Sequence, residues 1–421
     1  MSSIHLIDGS QLSLIRVRHR VGIAWVSMLM AAAAIACVMI AWLLFGIIND
    51  AFGYVLVSYE MAPPTGIEEY DEAALAGLIR TDAGAGIVRR YEQEGALEDL
   101  PRPRLREIAE THVFQPSVLD TWSLSESLLR TAHIRGRLDE TEGTALRFRA
   151  WIRPSFLTQP LERRPLTTGI RTALLGTVWI VTVSLAIAFP IGVATAVFLT
   201  EYDRGGWFSR FVRSNIETMA SIPSIIYGIL GLALFVRSLG PITSGAAFGV
   251  EGTGTVGRTV LSAALTLAIL VLPSIVINSR DILERVPRSY REACYAVGAS
   301  RSAVVVRRVL PAVSGQLITV LFLGISRVIG ETAPLLVVGA AAFISVDPQG
   351  VFSRFTALPA QVFYWSARPG LEYQRLAAAA IIVLLVLSTT INLGLRALGR
   401  HLDRRSSVGV EERETGERNA R

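Results

Sequence analysis

The chain has 421 residues, 51% hydrophobic and only 18% charged, with a mean hydropathy of +0.45. That balance excludes an ordinary soluble domain. All 41 cationic Lys+Arg positions are arginine. Without a lysine to reach nucleotide phosphates, a standard P-loop ATPase and Schiff-base chemistry are excluded too.

Charge-free apolar runs fall at 21–48, 172–200, 218–236, 259–279, 309–326 (continuing at 332–346) and 376–395. A bilayer core of ~30 Å takes roughly 20 helical residues to cross. In lipid only a helix or a closed barrel satisfies its own backbone, and barrel strands would alternate over about 10 residues. The expected fold class is an all-α polytopic membrane protein with about six transmembrane helices.

Residues 1–20 form a cytoplasmic lead, with an interfacial turn at Ile4, His5, Leu6, Ile7 and Asp8 and arginines at 16, 18 and 20. The run at 21–48 exceeds the about 7–15 residues of a signal-peptide core, so it reads as a retained first transmembrane helix. Residues 49–168 mix Glu, Asp and Arg. Stretches 54–60 and 144–152 alternate like strands (Leu146, Phe148, Ala150 and Ile152 on one side), and 66–95 has helical spacing through Ala73, Ala74, Leu75, Leu78 and Ile79. This segment reads as a small extracytoplasmic α+β insertion, with a partly disordered loop as the alternative.

Five further spans follow in 169–400. Pro190, Gly192 and Pro273 are expected to kink theirs. Thr218, Ser221, Ser224 and Tyr227 surround Pro223 in the third span, where hydroxyls line a path or serve as interhelical hydrogen bonds. Segments 237–258 and 347–375 read as outer loops. Gly252-Thr253-Gly254-Thr255-Val256-Gly257 satisfies G-x-G-x-x-G, but no strand precedes it and no βαβ unit surrounds it, so no dinucleotide site is expected. Arginines gather at 16–20, 204–213, 280–308 and 396–405, on one side of alternating spans. The positive-inside pattern puts that side, both termini and the 401–421 tail in the cytoplasm, with 406–421 disordered. The net charge of +6 is then topology, not a nucleic-acid footprint. Cys37 lies in the first span and Cys294 in a cytoplasmic loop, so neither a disulfide nor a metal cluster is expected.

The loop at 280–311 is the most informative segment. Pro287 suits a helix N1 position, 288–297 continues a short helix, and Gly298 suits its C′ position. Ser300 can cap a second short helix over 301–308, and Pro311 opens the next span. With small residues at Ala293, Ala296 and Gly298, this projection can seat in another protein's groove or lie on lipid headgroups.

The order Glu292-Ala293-Cys294, then Gly298, then Leu310-Pro311 resembles the EAA loop of importer-type ABC permeases. Cys294 stands in for the second alanine, and Arg308 departs from the usual isoleucine. Residues 324–336 (GISRVIGETAPLL) resemble the R-x-x-G-E-T-A-P-L-L signature of PstA permeases, and 169–202 and 221–228 are also similar to that family. The resemblance covers 169–400 and the first span, not 49–168. It implies the permease subunit of an ATP-driven phosphate importer, itself not an enzyme and needing no cofactor. Glu292, Ala293, Gly298, Leu310 and Pro311 would form the coupling loop for a separate PstB-like ATPase. The other implied partners are a PstC-like permease and an extracytoplasmic phosphate-binding protein, all within membrane lipid. Permeation of sulfate or molybdate is the alternative. A membrane-anchored sensor would need an output domain beyond the short cytoplasmic segments.

Arg327 and Glu331 are the charged residues of the fifth run, spaced i,i+4 as on one helix face. Arg327 would lie roughly 24 Å along a straight helix from Pro311. An ionised group at that depth is costly and should face a bundle interior or a water path. A guanidinium fork matches an oxyanion, while pairing with Glu331 would weaken the hold and let an ion leave; alternatively the pair only fastens helices. Arg327, Glu331, Ser224 and Tyr227 are the candidate pathway residues.

Overall fold

The computed structural model describes residues 9–58, 70–83, 85–92, 96–113, 117–139, 144–203, 205–250 and 257–394. The N-terminal turn at 4–8, most of the G-x-G-x-x-G stretch and the tail from 395 lie outside the described residues.

Among the described residues, four helices are long and apolar enough to cross a bilayer: Val21–Ala51, Arg171–Tyr202, Val260–Glu284 and Leu371–Gly394. Two more spans are bent pairs. Trp207–Ala220 and Ser224–Ser238 meet at 106°, and Arg301–Ala312 and Ser314–Gly330 at 70°. The count reaches six if each pair is one span, but the third and fifth runs are not the straight helices expected. Proline explains the first break. Pro223 lacks an N–H and disfavours helical backbone at Ile222, so one helix stops and the next starts with Pro223 as its N-cap residue. Near Pro311 the chain passes through a wide turn at Val305–Val309, a short Leu310–Ala312 turn and a non-helical Val313 (φ −107°, ψ 7°) before restarting.

The Arg171–Val197 and Val260–Glu284 helices run unbroken through Pro190 and Pro273. Gly192 serves their packing: a Cβ there would sit 2.6 Å from Ile275 Cγ2. Ile180, Leu185, Leu267, Val271 and Ile275 are buried in the central apolar cluster. The hydroxyl of Ser184 lies 2.7 Å from the Ile180 carbonyl and 3.0 Å from that of Ala264 on the facing helix. By contrast, the 18-residue apolar window of Val21–Ala51 is unburied within the chain, a surface left to lipid or another subunit.

The insertion is α+β. Strands β1 (Phe52–Ser58), β2 (Ser117–Thr121) and β3 (Thr144–Ala150) form an antiparallel sheet ordered β2-β1-β3. The helical stretch divides into Glu72–Asp82 and Ala85–Glu92, and a helix at Arg102–His112 packs against the first. Leu75 and Ile79 enter the resulting core with Leu105 and Ile108, whereas Ala73 and Ala74 are exposed. Val55 and Val57 of β1 pack with Trp151, Phe156, Leu358, Trp365 and Leu376, joining the sheet to the helix bundle. The joint is also polar. Buried Arg375 bonds Asp50 and stands 3.6 Å from Glu126, while Ser125 N donates to Asn49 Oδ1 at 2.7 Å. The expected outer loop at 347–375 holds a helix, Leu358–Ser366, with Leu358, Ala360 and Trp365 buried.

Candidate functional site

Arg327 occupies the last turn of the Ser314–Gly330 helix, 13 residues or about 20 Å from its start. The expected 24 Å from Pro311 fails because the chain bends between them. Glu331 does not share the helix face: it is the C-cap residue, with extended backbone (φ −79°, ψ 119°). Pro334 accounts for this, since it could not donate to the Gly330 carbonyl in a continuing helix. The charges still meet, but only at 4.0 Å from Nε to Oε1, with the Arg327 side chain 44% exposed and that of Glu331 19%. Next to Arg327, Ser326 and Asn392 Oδ1 stand 2.6 Å apart and tie the segment to the last helix.

Beyond the break the chain resumes as Ala333–Val338, which packs on Ser224–Gly231. A Cβ on Gly228 would stand 2.8 Å from Pro334 Cα, so the two backbones need glycine there. This contact brings the Pro223 region beside the Arg327–Glu331 segment. Its hydroxyls differ in use. Tyr227 is buried and donates to the Met219 carbonyl at 2.5 Å, bracing the 106° bend. Ser221 and Thr218 donate to carbonyls of the preceding helix at 2.7 and 2.8 Å. Ser224 is partly exposed and has no hydrogen-bond partner among the described residues. Of these hydroxyls, Ser224 is therefore the one open to a ligand.

The loop folds as two short helices around a glycine. Pro287 is the N-cap residue of Arg288–Ala296, one position before the expected N1. Gly298 adopts φ +80°, and the amides of Gly298 and Ala299 bond the Tyr295 and Cys294 carbonyls at 2.9 and 3.1 Å. Ser300 caps the next turn by accepting from Ala303 N at 3.4 Å, and the helix continues past the expected 308, widening at Val305–Val309 before it reaches Ala312. Glu292, Ala293, Gly298 and Pro311 are exposed, Leu310 is half-buried, and Val297 is 84% exposed.

What holds this projection escaped the sequence reading. Arg291 Nε and Nη2 donate to Glu201 Oε1 at 3.0 and 2.7 Å, and its other bonds reach the Val286 and Leu283 carbonyls at 2.6 and 2.9 Å. The side chains are 14% and 4% exposed. Nothing in the sequence pairs residues 90 apart, although Glu201 is an acid directly ending an apolar run. Nearby Asp203 is held below the usual carboxylate range, first by the Ser209 hydroxyl and then by the Gly205 amide.

The sequence matches the family described as binding-protein-dependent transport system inner membrane component over residues 188–408. It is 33% identical over 227 residues to the phosphate transport system permease protein PstA of Mycobacterium leprae, covering 53% of this chain and 68% of that one. It is 34% identical over 176 residues to a PstA homolog of Mycoplasma pneumoniae, covering 42% of this chain but only 25% of that longer protein. Among solved structures, an inward-facing MetNI methionine ABC transporter is similar at 20% identity and a TM-score of 0.42, over 55% of this chain and 95% of that one. With these matches, the chain belongs to the binding-protein-dependent transport system inner membrane components, as a PstA-type permease.

Proposed function

We propose that this chain forms half of the translocation pathway of an ATP-driven phosphate importer, with Arg327 as the group that meets the permeating anion. The observation carrying this reading is Arg327 itself. Its guanidinium is nearly half exposed, within a membrane helix, and only loosely held by Glu331 at 4.0 Å. Exposed charge at that depth is costly, so a water path or a second permease must cover it. The loose pair leaves donors of the fork free for an oxyanion, with Ser224 as a further donor. The two relatives named for phosphate transport support that substrate over sulfate or molybdate.

On this reading the exposed 285–313 projection docks on a separate ATPase subunit, a second PstC-like permease completes the path, and an extracytoplasmic protein delivers the anion. The arginine distribution puts the projection and both termini in the cytoplasm and 49–168 outside. The test is uptake of labelled phosphate in cells lacking their own permease, with sulfate and molybdate as competitors. Complementation by the wild-type chain and loss with Arg327→Gln at unchanged membrane abundance is the expected result. Arg327→Lys should also lose much uptake, because an ammonium does not reproduce the fork. Competition by sulfate or molybdate instead would reassign the substrate.

A further inference from the structure

Past the contact of Gly228 with Pro334, the Ser224–Ser238 and Ala333–Val338 segments open onto a cavity of about 1240 Å³. None of Arg327, Glu331, Ser224 or Tyr227 lines it. Three guanidiniums do: Arg237 at the end of Leu232–Ser238, Arg258 before the Thr259 cap, and Arg354 ahead of the Leu358–Ser366 helix. Among the described residues no acidic side chain lines the cavity, and none of the three has an ion-pair or hydrogen-bond partner. The remaining wall is largely apolar, including Leu336 and Phe355, and the Tyr364 hydroxyl donates to the Ala340 carbonyl at 2.7 Å. A further guanidinium, Arg163, stands 5.7 Å over the ring of Phe343 at the same cavity.

On the topology proposed above this end faces outward, where the positive-inside trend disfavours arginine. Three of them converging there from separate segments call for a use. A concave site with apolar walls and one sign of charge focuses its field and concentrates counter-ions. From Gly228, at the contact with Pro334, to Arg237 is nine residues, roughly 14 Å of helix.

We infer that this cavity is an anion vestibule: Arg237, Arg258 and Arg354 receive a tetrahedral oxyanion, phosphate in the proposed reading, before it passes to Arg327. The inference rests on that reading. It commits the arginines to the small anion rather than to acidic residues of a docked delivery protein, because they line a cavity roomy enough for a hydrated ion.

The test uses the complete reconstituted transporter: this chain, its second permease, the ATPase and the phosphate-loaded delivery protein. Initial uptake of labelled phosphate and ATPase stimulation by the delivery protein are measured against ionic strength. Replacing all three arginines by Gln should lower subsaturating uptake by about ten-fold or more and flatten its salt dependence. ATPase stimulation should stay at the wild-type level, and the triple Lys variant should keep most of the uptake. Unchanged uptake and salt dependence in the Gln variant would overturn the vestibule. Loss of ATPase stimulation together with uptake would overturn it also, by assigning the arginines to docking. A wild-type complex that moves no phosphate would instead refute the function proposed above, whatever the variants do.

Discussion

Replacing Arg291 by Met and, separately, Glu201 by Gln should have unequal costs, and the geometry sets the difference. Arg291 gives two bonds to Glu201, one to the Leu283 carbonyl in the last turn of the Val260–Glu284 helix and one to the Val286 carbonyl just past it, where the helix end favours a cation. Arg291→Met strands a carboxylate only 4% exposed and takes one donor from each carbonyl, of which that of Leu283 keeps the Val286 amide at 3.3 Å. Removing one partner of a buried pair costs about 3–5 kcal/mol. Glu201→Gln keeps an oxygen that accepts one N–H and leaves the carbonyl bonds intact, so about 1–2 kcal/mol is expected. The Glu201→Leu/Arg291→Met double variant removes both charges and should recover part of the loss. Amide hydrogen exchange across 288–296 in the purified complex measures it. Protection should fall by about a hundred-fold or more in Arg291→Met, at 1.4 kcal/mol per factor of ten, and by about ten-fold in Glu201→Gln. Equal losses below about 1 kcal/mol, the range of exposed pairs, would refute the claim that this buried bridge holds the loop.

Gly298→Val should cost at least the about 1–2 kcal/mol of a left-handed L residue, all of it backbone strain, since nothing lies within 4 Å of a Cβ there; ATP hydrolysis should uncouple from uptake, and normally coupled turnover would count against docking through this elbow. In a cysteine-free background, Leu129→Cys (84% exposed) should react with membrane-impermeant maleimide from outside intact cells and Val297→Cys (84% exposed) should not; equal labelling would sink the proposed topology. Glu126 is held below the usual carboxylate range by the Ser123 amide first, then by the Ser123 hydroxyl and Arg375. A depressed folded-state pKa contributes stability that is present above the ordinary carboxylate range and lost as pH falls through the lowered value. Exchange protection in 117–129, taken relative to the intrinsic rate at each pH, should therefore fall on acidification below about pH 4, and Glu126→Gln should remove that dependence.

Apolar run length made the span count legible, because a bilayer demands some 20 apolar residues whatever their neighbours. It could not show that two of those runs turn through 106° at Pro223 and 70° at Val313, since proline is compatible with a kink, a break or an unbroken helix, as Pro190 and Pro273 illustrate here. In the loop, Gly298 and Ser300 were readable because their roles depend on backbone conformation and a neighbour three residues away. The Arg291–Glu201 bridge depends on residues 90 apart and was not readable. The spacing of Arg327 and Glu331 implied one helical face, but the local proline at 334 overrode the period. Tyr227 looked like a pathway hydroxyl and proved to be a brace, because only the fold brings Met219 O to it.

One helix spans the distance between the loop and the intramembrane charge. Arg171–Tyr202 carries Glu201, the anchor of Arg291, at one end, and twenty-odd ångströms earlier its Leu185 reaches Gly324, where a Cβ would stand 3.0 Å from Leu185 Cδ2. Gly324 precedes Arg327 by one turn of the Ser314–Gly330 helix. Between those contacts Gly192 lets the same helix lie directly on Ile275, so the segment is backed by Val260–Glu284, the most buried of the four straight spans. A displacement of the loop that drags Glu201 must therefore either tilt this helix as a rigid body or break a buried ion pair. Tilting repacks apolar contacts, each individually small, whereas breaking the pair costs several kcal/mol at once. On the reading proposed above, tilting is the cheaper response, and it would act where Leu185 meets Gly324, one turn from Arg327.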